Sequence, residues 1–163
     1  EAFGTGLVVP DTGIVLQNRG ALFSTDPEHP NFLEPAKRPY NTIIPGMITR
    51  NSNLVSSFGV MGGFQQPQGH LQVVSNMVDF GMNPQEALDS ARFRISIEDE
   101  TVFAEDSFDQ EVISGLESKG HSVSVNSGVN RGFFGGGQII NRNGEGMLIG
   151  GSDPRKDGLS VSY

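Results

Sequence analysis

The chain has 163 residues, 36% apolar and 18% charged, which is room for one ordinary domain with a core and too apolar for a disordered segment. Eleven basic against nineteen acidic residues give a net charge of -8 with no Lys/Arg cluster on any predicted helix, which excludes the footprint of a nucleic-acid binder and disfavours anionic membranes. No cysteine is present, so a disulfide framework, a thiolate zinc site and a cysteine nucleophile are excluded. No apolar run approaches the roughly 18 residues of a membrane-spanning helix, no export leader is visible, and the compartment stays open.

The opening EAFGTGLVVP lacks an initiator methionine and is already strand-like, so a fragment or processed chain is expected. Leu7 to Val9 and Ile14 to Leu16 flank the turn Pro10-Asp11-Thr12-Gly13 and predict a hairpin. Residues 24–39 carry four prolines among polar residues and predict a long surface loop. Thr42 to Ile48 and Leu54 to Val60 are strand candidates joined by a polar turn at Asn51-Ser52-Asn53. From Gly69 to Phe80 the spacing of Leu71, Val74, Met77 and Val78 predicts one apolar face of a helix ended by Gly81. Asn83-Pro84-Gln85-Glu86 is a capping box, starting a short helix that buries Ala87, Leu88 and Ala91. Phe93 to Ile97 and Thr101 to Ala104 read as strands. Ser107 to Gln110 repeats the capping-box pattern before a helix with Val112, Ile113 and Leu116 facing the core, closed at Lys119-Gly120. His121 to Val125, Phe133 to Asn141 and Met147 to Gly150 complete the strands, with plain hairpin turns at residues 126–128 and 144–146. No linker divides this α/β or α+β layered chain.

Chemistry-bearing residues are sparse. His29, His70 and His121 stand far apart with no metal-ligand spacing, which favours structural or solvent-facing roles. Glu98-Asp99-Glu100 fits no calcium loop and reads as a solvated turn. In GVMGGF the spacing of Gly59, Gly62 and Gly63 matches neither a phosphate loop nor a dinucleotide fingerprint. Two readings remain open. The paired glycines are either a strand-to-helix turn that needs small residues, or a place where backbone N–H groups face a cleft and stabilise developing negative charge.

Five stretches, in this order, resemble the small subunit of the gamma-glutamyltranspeptidase family of N-terminal-nucleophile hydrolases: FGTGLVVPDTGIVLQN at 3–18, KRP at 37–39, GVMGGF at 59–64, DFGMNPQEALDSARF at 79–93 and GGSDPRKDG at 150–158. The resemblance implies an α+β fold, the four-layer αββα sandwich. It is built jointly by a large and a small subunit after autocatalytic cleavage of one precursor. Residues 1–163 are then a single domain, the C-terminal part of the small subunit, incomplete without its partner or upstream segment. It implies a small-molecule acyl-amide substrate and no metal or organic cofactor.

On this resemblance Gly62 and Gly63 correspond to the family's oxyanion-hole glycines. Asn41 and Thr42 correspond to two serines that hold the donor's α-carboxylate, and both retain hydrogen-bonding side chains; the alternative for them is an ordinary strand entry. The chain departs from the family at Arg19 and Leu22, where transpeptidases carry a glutamate and an aspartate that read the glutamyl donor. Arg19 could take a carboxylate in bidentate fashion, favouring an acyl group such as glutaryl that lacks the amine. It could equally pair with an acid of the partner subunit. The departure resembles the cephalosporin-acylase-like branch. The family's nucleophile is the N-terminal threonine of the small subunit, whose α-amine acts as base. That residue precedes FGTG, so Thr5 is not it, and this chain alone is expected to be inactive. A non-catalytic domain holding an acidic peptide or metabolite on the same scaffold is the alternative, and a scaffold half without a site is the blandest reading.

Overall fold

The computed structural model describes residues 4–162 and falls into two compact units, one ending at Ile43 and one beginning at Ile44.

In the first unit the expected hairpin forms. Val8 bridges Val15, and Val9 N–H and Leu16 N–H donate to Ile14 and Leu7 carbonyls, each at 2.9 Å. Thr12 Oγ1 donates to Val9 O and accepts Ile14 N–H, which closes the turn. A single 3-10 turn, Arg19–Leu22, follows. The proline-rich segment is a loop, as expected, held by one bridge between Ser24 and Phe32.

The second unit contains two sheets. In the first, β1 (Gly46–Arg50), β2 (Asn53–Met61), β6 (Gly136–Arg142) and β7 (Leu148–Ser152) pair antiparallel in the order β1-β2-β6-β7. β1 begins four residues later than expected, because Pro45 cannot donate to a ladder. The β1–β2 turn places Asn51 and Ser52 at φ 51 and 64, the primed geometry that matches strand twist. Between β6 and β7 the Asn143 side chain accepts Glu145 and Met147 N–H and makes the expected hairpin turn. The second sheet orders β3 (Phe93–Ile95), β4 (Val102–Glu105) and β5 (Val123–Asn126). β3 and β4 are antiparallel, while β4 and β5 are parallel and need a crossover, supplied by α3 (Gln110–Ser118).

α1 (Gln66–Val78) and α2 (Pro84–Asp89) cover the first sheet. Val60, Val73, Ala87, Leu88 and Ile139 form the core, with Phe58, Met77 and Met82 packed against it. Ile139 is buried and Ile140 exposed, the alternation of a sheet covered on one face.

Several expectations are corrected. α1 starts at Gln66 because Pro67 in its first turn needs no donor. Its buried row is Gln66, Gly69 and Val73, while Leu71 and Val78 are exposed. Gly69 packs so closely on Val60 that a Cβ would lie 2.9 Å from Val60 Cγ1, and this close approach rotates the helix away from the face its larger residues suggested. Ala91 lies beyond α2 and is half-buried. The second capping box does not form. Asp109, not Ser107, is the N-cap of α3, and its side chain makes no cap bond. Val112 is exposed, and Ile113 is the residue α3 buries. Residues 126–128 are no hairpin turn, since β5 and β6 belong to different sheets and a 3-10 segment, Gly128–Phe134, joins them. Phe133 therefore precedes β6.

Candidate functional site

Gly62 and Gly63 sit where β2 ends and a 3-10 turn, Gly63–Gln65, leads into α1. Their φ angles are 150 and 60, which a side chain would oppose. Around Gly63 a Cβ would meet nothing, so the backbone angle and not crowding demands glycine there. The carbonyls of the pair serve the helix start: Gln65 N–H donates to Gly62 O at 3.2 Å, and Gln66 N–H donates to Gly63 O. Across a trans peptide the N–H points opposite to its carbonyl, so the Gly63 amide is directed away from the helix, as free donors at a helix N-terminus are. Gly62 is half-buried and Gly63 exposed. The turn thus presents backbone donors on a strand-to-helix corner with no side chain of its own in the way.

Within the first unit, two of the residues singled out from the sequence come together. Arg19 Nη1 donates to Thr42 Oγ1, and Arg19 N–H donates to Gln17 Oε1 at 2.5 Å. Both Arg19 and Thr42 are half-buried. Arg19 and Leu22 begin and end one 3-10 turn, where side chains three apart eclipse, so the two side chains share one side of that turn. Asn41 stands apart from this bond. It is exposed, and its Oδ1 accepts Ile43 N–H at 3.2 Å.

The three histidines sit in different surroundings, His70 half-buried and His29 and His121 exposed. His70 Nε2 accepts Val60 N–H at 2.8 Å, and its ring meets Phe58 edge-on; burial lowers its pKa and keeps it neutral, as an acceptor must be. His29 Nδ1 accepts Asn31 N–H. His121 stands beside an apolar cavity of about 350 Å³ between α3 and the second sheet. Among the described residues no three His, Cys, Asp or Glu side chains are grouped to hold a metal. Asp99 accepts Thr101 N–H and Oγ1, as befits a turn. No described helix is long and apolar enough to cross a membrane.

Sequence reasoning missed a buried cluster of four charges. Arg92 Nη2 meets Asp153 Oδ2 at 2.7 Å, Arg155 Nη1 meets Asp153 Oδ1 at 3.2 Å, and Arg155 also clamps both oxygens of Glu105. The carboxylates take backbone donors as well: Gly137 N–H to Asp153 Oδ2 at 2.7 Å and Arg92 N–H to Glu105 Oε2 at 2.8 Å. Burial pushes both carboxyl pKa values up, but the guanidinium and backbone donors outweigh it, and both lie below the ordinary range. Arg131 joins Glu105 from the rim at 3.3 Å. The available signal was the Asp153-Pro154-Arg155 run in GGSDPRKDG, whose charges stand in an otherwise glycine-rich stretch.

Comparison with known proteins gives these residues a setting. A family model described as Gamma-glutamyltranspeptidase matches residues 1–163. The chain is 38% identical over 163 residues to the glutathione hydrolase-like YwrD proenzyme of Bacillus subtilis, covering 98% of the chain and 31% of that relative. It is 35% identical over 165 residues to the oxamate amidohydrolase proenzyme of Klebsiella pneumoniae, covering 99% and 31%. Among solved structures, cephalosporin acylase from Bacillus halodurans superposes with a TM-score of 0.91 at 48% identity, over 98% of this chain and 30% of that one. Gamma-glutamyltranspeptidase from Pseudomonas nitroreducens superposes with a TM-score of 0.83 at 25% identity, over 99% and 88%. The chain therefore spans about a third of the length of the curated relatives it matches, and it has the α+β fold of N-terminal-nucleophile hydrolases expected from the sequence. On the match of the family model along its whole length, the chain belongs to the gamma-glutamyltranspeptidase family.

Proposed function

We propose that the protein of which this chain is part is an amidohydrolase or acyltransferase acting through an acyl-threonine intermediate. The threonine lies outside this chain, which supplies the oxyanion donors and part of the acyl pocket. The observation that carries this reading is the Gly62–Gly63 corner, with its carbonyls turned into the helix and its backbone held at φ 150 and 60. In the reaction the threonine hydroxyl attacks the amide carbonyl while the threonine's own α-amine takes the proton. The Gly62 and Gly63 amides hold the oxyanion, and collapse releases the amine leaving group with that proton. Water or an amine then attacks the acyl-threonine ester. Without the threonine, the chain alone is inactive.

Arg19, Thr42 and Asn41 form the acyl-recognition side of the proposal. The bond from Arg19 to Thr42 fixes the guanidinium and leaves its other donors for a carboxylate. Leu22, on the same side of the turn, offers nothing to an ammonium group. The relative named as an oxamate amidohydrolase acts, by its name, on an amide that carries a carboxylate and no α-amine, which is the same chemical preference.

The test uses the full-length precursor with glutaryl and γ-glutamyl p-nitroanilides. The expected result is a kcat/KM about tenfold or more higher for glutaryl, which corresponds to about 1.4 kcal/mol of transition-state binding. A preference for γ-glutamyl overturns the role given to Arg19 and Leu22. Binding of the acyl group with no turnover of either compound overturns the enzymatic reading and leaves a holder of acidic metabolites.

A further inference from the structure

The Gly62–Gly63 corner is built against a second backbone segment, residues 134–137. A Cβ on Gly62 would lie 3.2 Å from Gly135 Cα, so the two segments touch backbone to backbone. Gly135 has φ 88, and a Cβ there would fall 2.3 Å from Met61 O and 3.0 Å from Val60 Cγ1. Met61 O belongs to the peptide whose N–H is that of Gly62. In a planar trans peptide the two point in opposite directions, so whatever fixes the Met61 carbonyl also fixes the aim of the Gly62 amide.

The segment is itself held from behind. Gly136 and Gly137 pair with Met61 and Val60 across the β2–β6 ladder. Gly137 N–H donates to Asp153 Oδ2 at 2.7 Å, and Asp153 N–H returns a bond to Gly137 O at 3.1 Å. Arg92, paired with the same carboxylate, donates from Nη1 to Phe134 O at 3.4 Å, and Phe134 is fully buried. A buried ion pair is weak evidence for net stability, and its best-attested value is to fix one geometry. Here the geometry it fixes is the backbone under the candidate oxyanion turn.

We propose that Gly135, held by the Arg92–Asp153 pair, is a positioning residue that sets the direction of the Gly62 amide. The inference rests on the proposed reading of Gly62 as an oxyanion donor. Gly135 touches no substrate. It acts by leaving room for the Met61 carbonyl, and a methyl group there would tilt the Met61–Gly62 peptide. Misaimed donors weaken transition-state binding more than ground-state binding, so kcat falls while KM holds.

The experiment compares the full-length protein with its Gly135→Ala, Gly62→Ala and double variants, using glutaryl p-nitroanilide. Gly151→Ala serves as the steric control, since a Cβ there would lie 2.8 Å from the Pro84 backbone, away from the corner. The expected result is a kcat at least about tenfold lower in Gly135→Ala with KM within about threefold, and a double variant no slower than Gly62→Ala alone. Gly151→Ala lowers the melting temperature but keeps the kcat of the folded enzyme. Equal loss of kcat in Gly135→Ala and Gly151→Ala, or additive losses in the double variant, overturns the positioning role. Should Gly135→Ala not fold, Arg92→Lys keeps the charge opposite Asp153 while losing the Nη1 bond to Phe134 O, and an unchanged kcat there overturns it too. A wild type inactive toward acyl amides overturns the oxyanion reading and this proposal together, whereas an active wild type with an unaffected Gly135→Ala overturns this proposal alone.

Discussion

Residues 4–43 and the unit beginning at Ile44 hold their candidate residues by different means. Before Ile44 none of the described side chains is fully buried; the backbone is closed by a hairpin, by turns and by short-range bonds such as those of Thr12 and Asn31. After it the chain buries Val60, Val73, Leu88, Phe134 and Ile139, and sets four charges among them in three linked ion pairs. The difference matches the two chemical demands of the proposed function. An oxyanion donor must be fixed before the charge develops, because reorganisation at that moment would cost rate. An acyl-recognition residue must distinguish substrates, which a change of one side chain on a lightly buried turn can alter without disturbing a core. Arg19 and Leu22, which the proposal assigns to acyl recognition, lie on such a turn.

Removing part of the charge cluster tests the rigid side and gives the largest expected effect. Asp153→Ala leaves Arg92 buried without its carboxylate and should cost roughly 3–5 kcal/mol of unfolding free energy in urea titrations at neutral pH. A cost below about 1 kcal/mol would mean the cluster contributes little to that unit. The same groups set the acid limb. Glu105 and Asp153 titrate below their ordinary 4.5 and 3.8, so the stability they contribute is complete above about pH 4.5 and is lost as pH falls through the lower folded values.

Smaller effects come from local devices. Asn83 Oδ1 accepts Gln85 and Glu86 N–H, both at 3.0 Å, and Glu86 Oε2 accepts Asn83 N–H at 2.8 Å, so Asn83→Ala should cost about 1 kcal/mol by the same measurement. This box was legible in the sequence because all of its partners lie within four residues.

The charge cluster was not legible, because Glu105 and Arg155 stand 50 positions apart and only the packing of β4 beside the residues after β7 joins them. The buried face of α1 was misread for a related reason. Periodicity weighed Leu71 and Val78 by their size, whereas Gly69 against Val60 decides which way the helix turns. The Gly62–Gly63 corner was visible as a pair of small residues, but Gly135 was not visible as its neighbour, since β6 brings it there across the sheet.

His70 sharpens the picture at milder pH. Its folded pKa lies below the unfolded 6.5, so the folded state binds fewer protons and stability declines as pH falls below about 6.5. His70→Gln, which retains an acceptor for Val60 N–H, should flatten that limb in thermal melts; an unchanged slope would assign it to other groups. The smallest stability effect is expected in the first unit. Arg19→Ala should change unfolding free energy by less than about 0.5 kcal/mol while raising KM for glutaryl p-nitroanilide about tenfold. A large loss of stability with unchanged KM would make Arg19 a structural residue and erase the contrast between the two units.

The central claim is acyl transfer through a threonine outside this chain, with Gly62 and Gly63 as donors. Its most direct test is an intact-mass spectrum of the full-length gene product, before and after brief exposure to glutaryl p-nitroanilide. The account predicts a cleaved precursor, a fragment that contains these residues and begins upstream with threonine, and a glutaryl adduct on that threonine. A single uncleaved chain that never acquires the acyl group would contradict it.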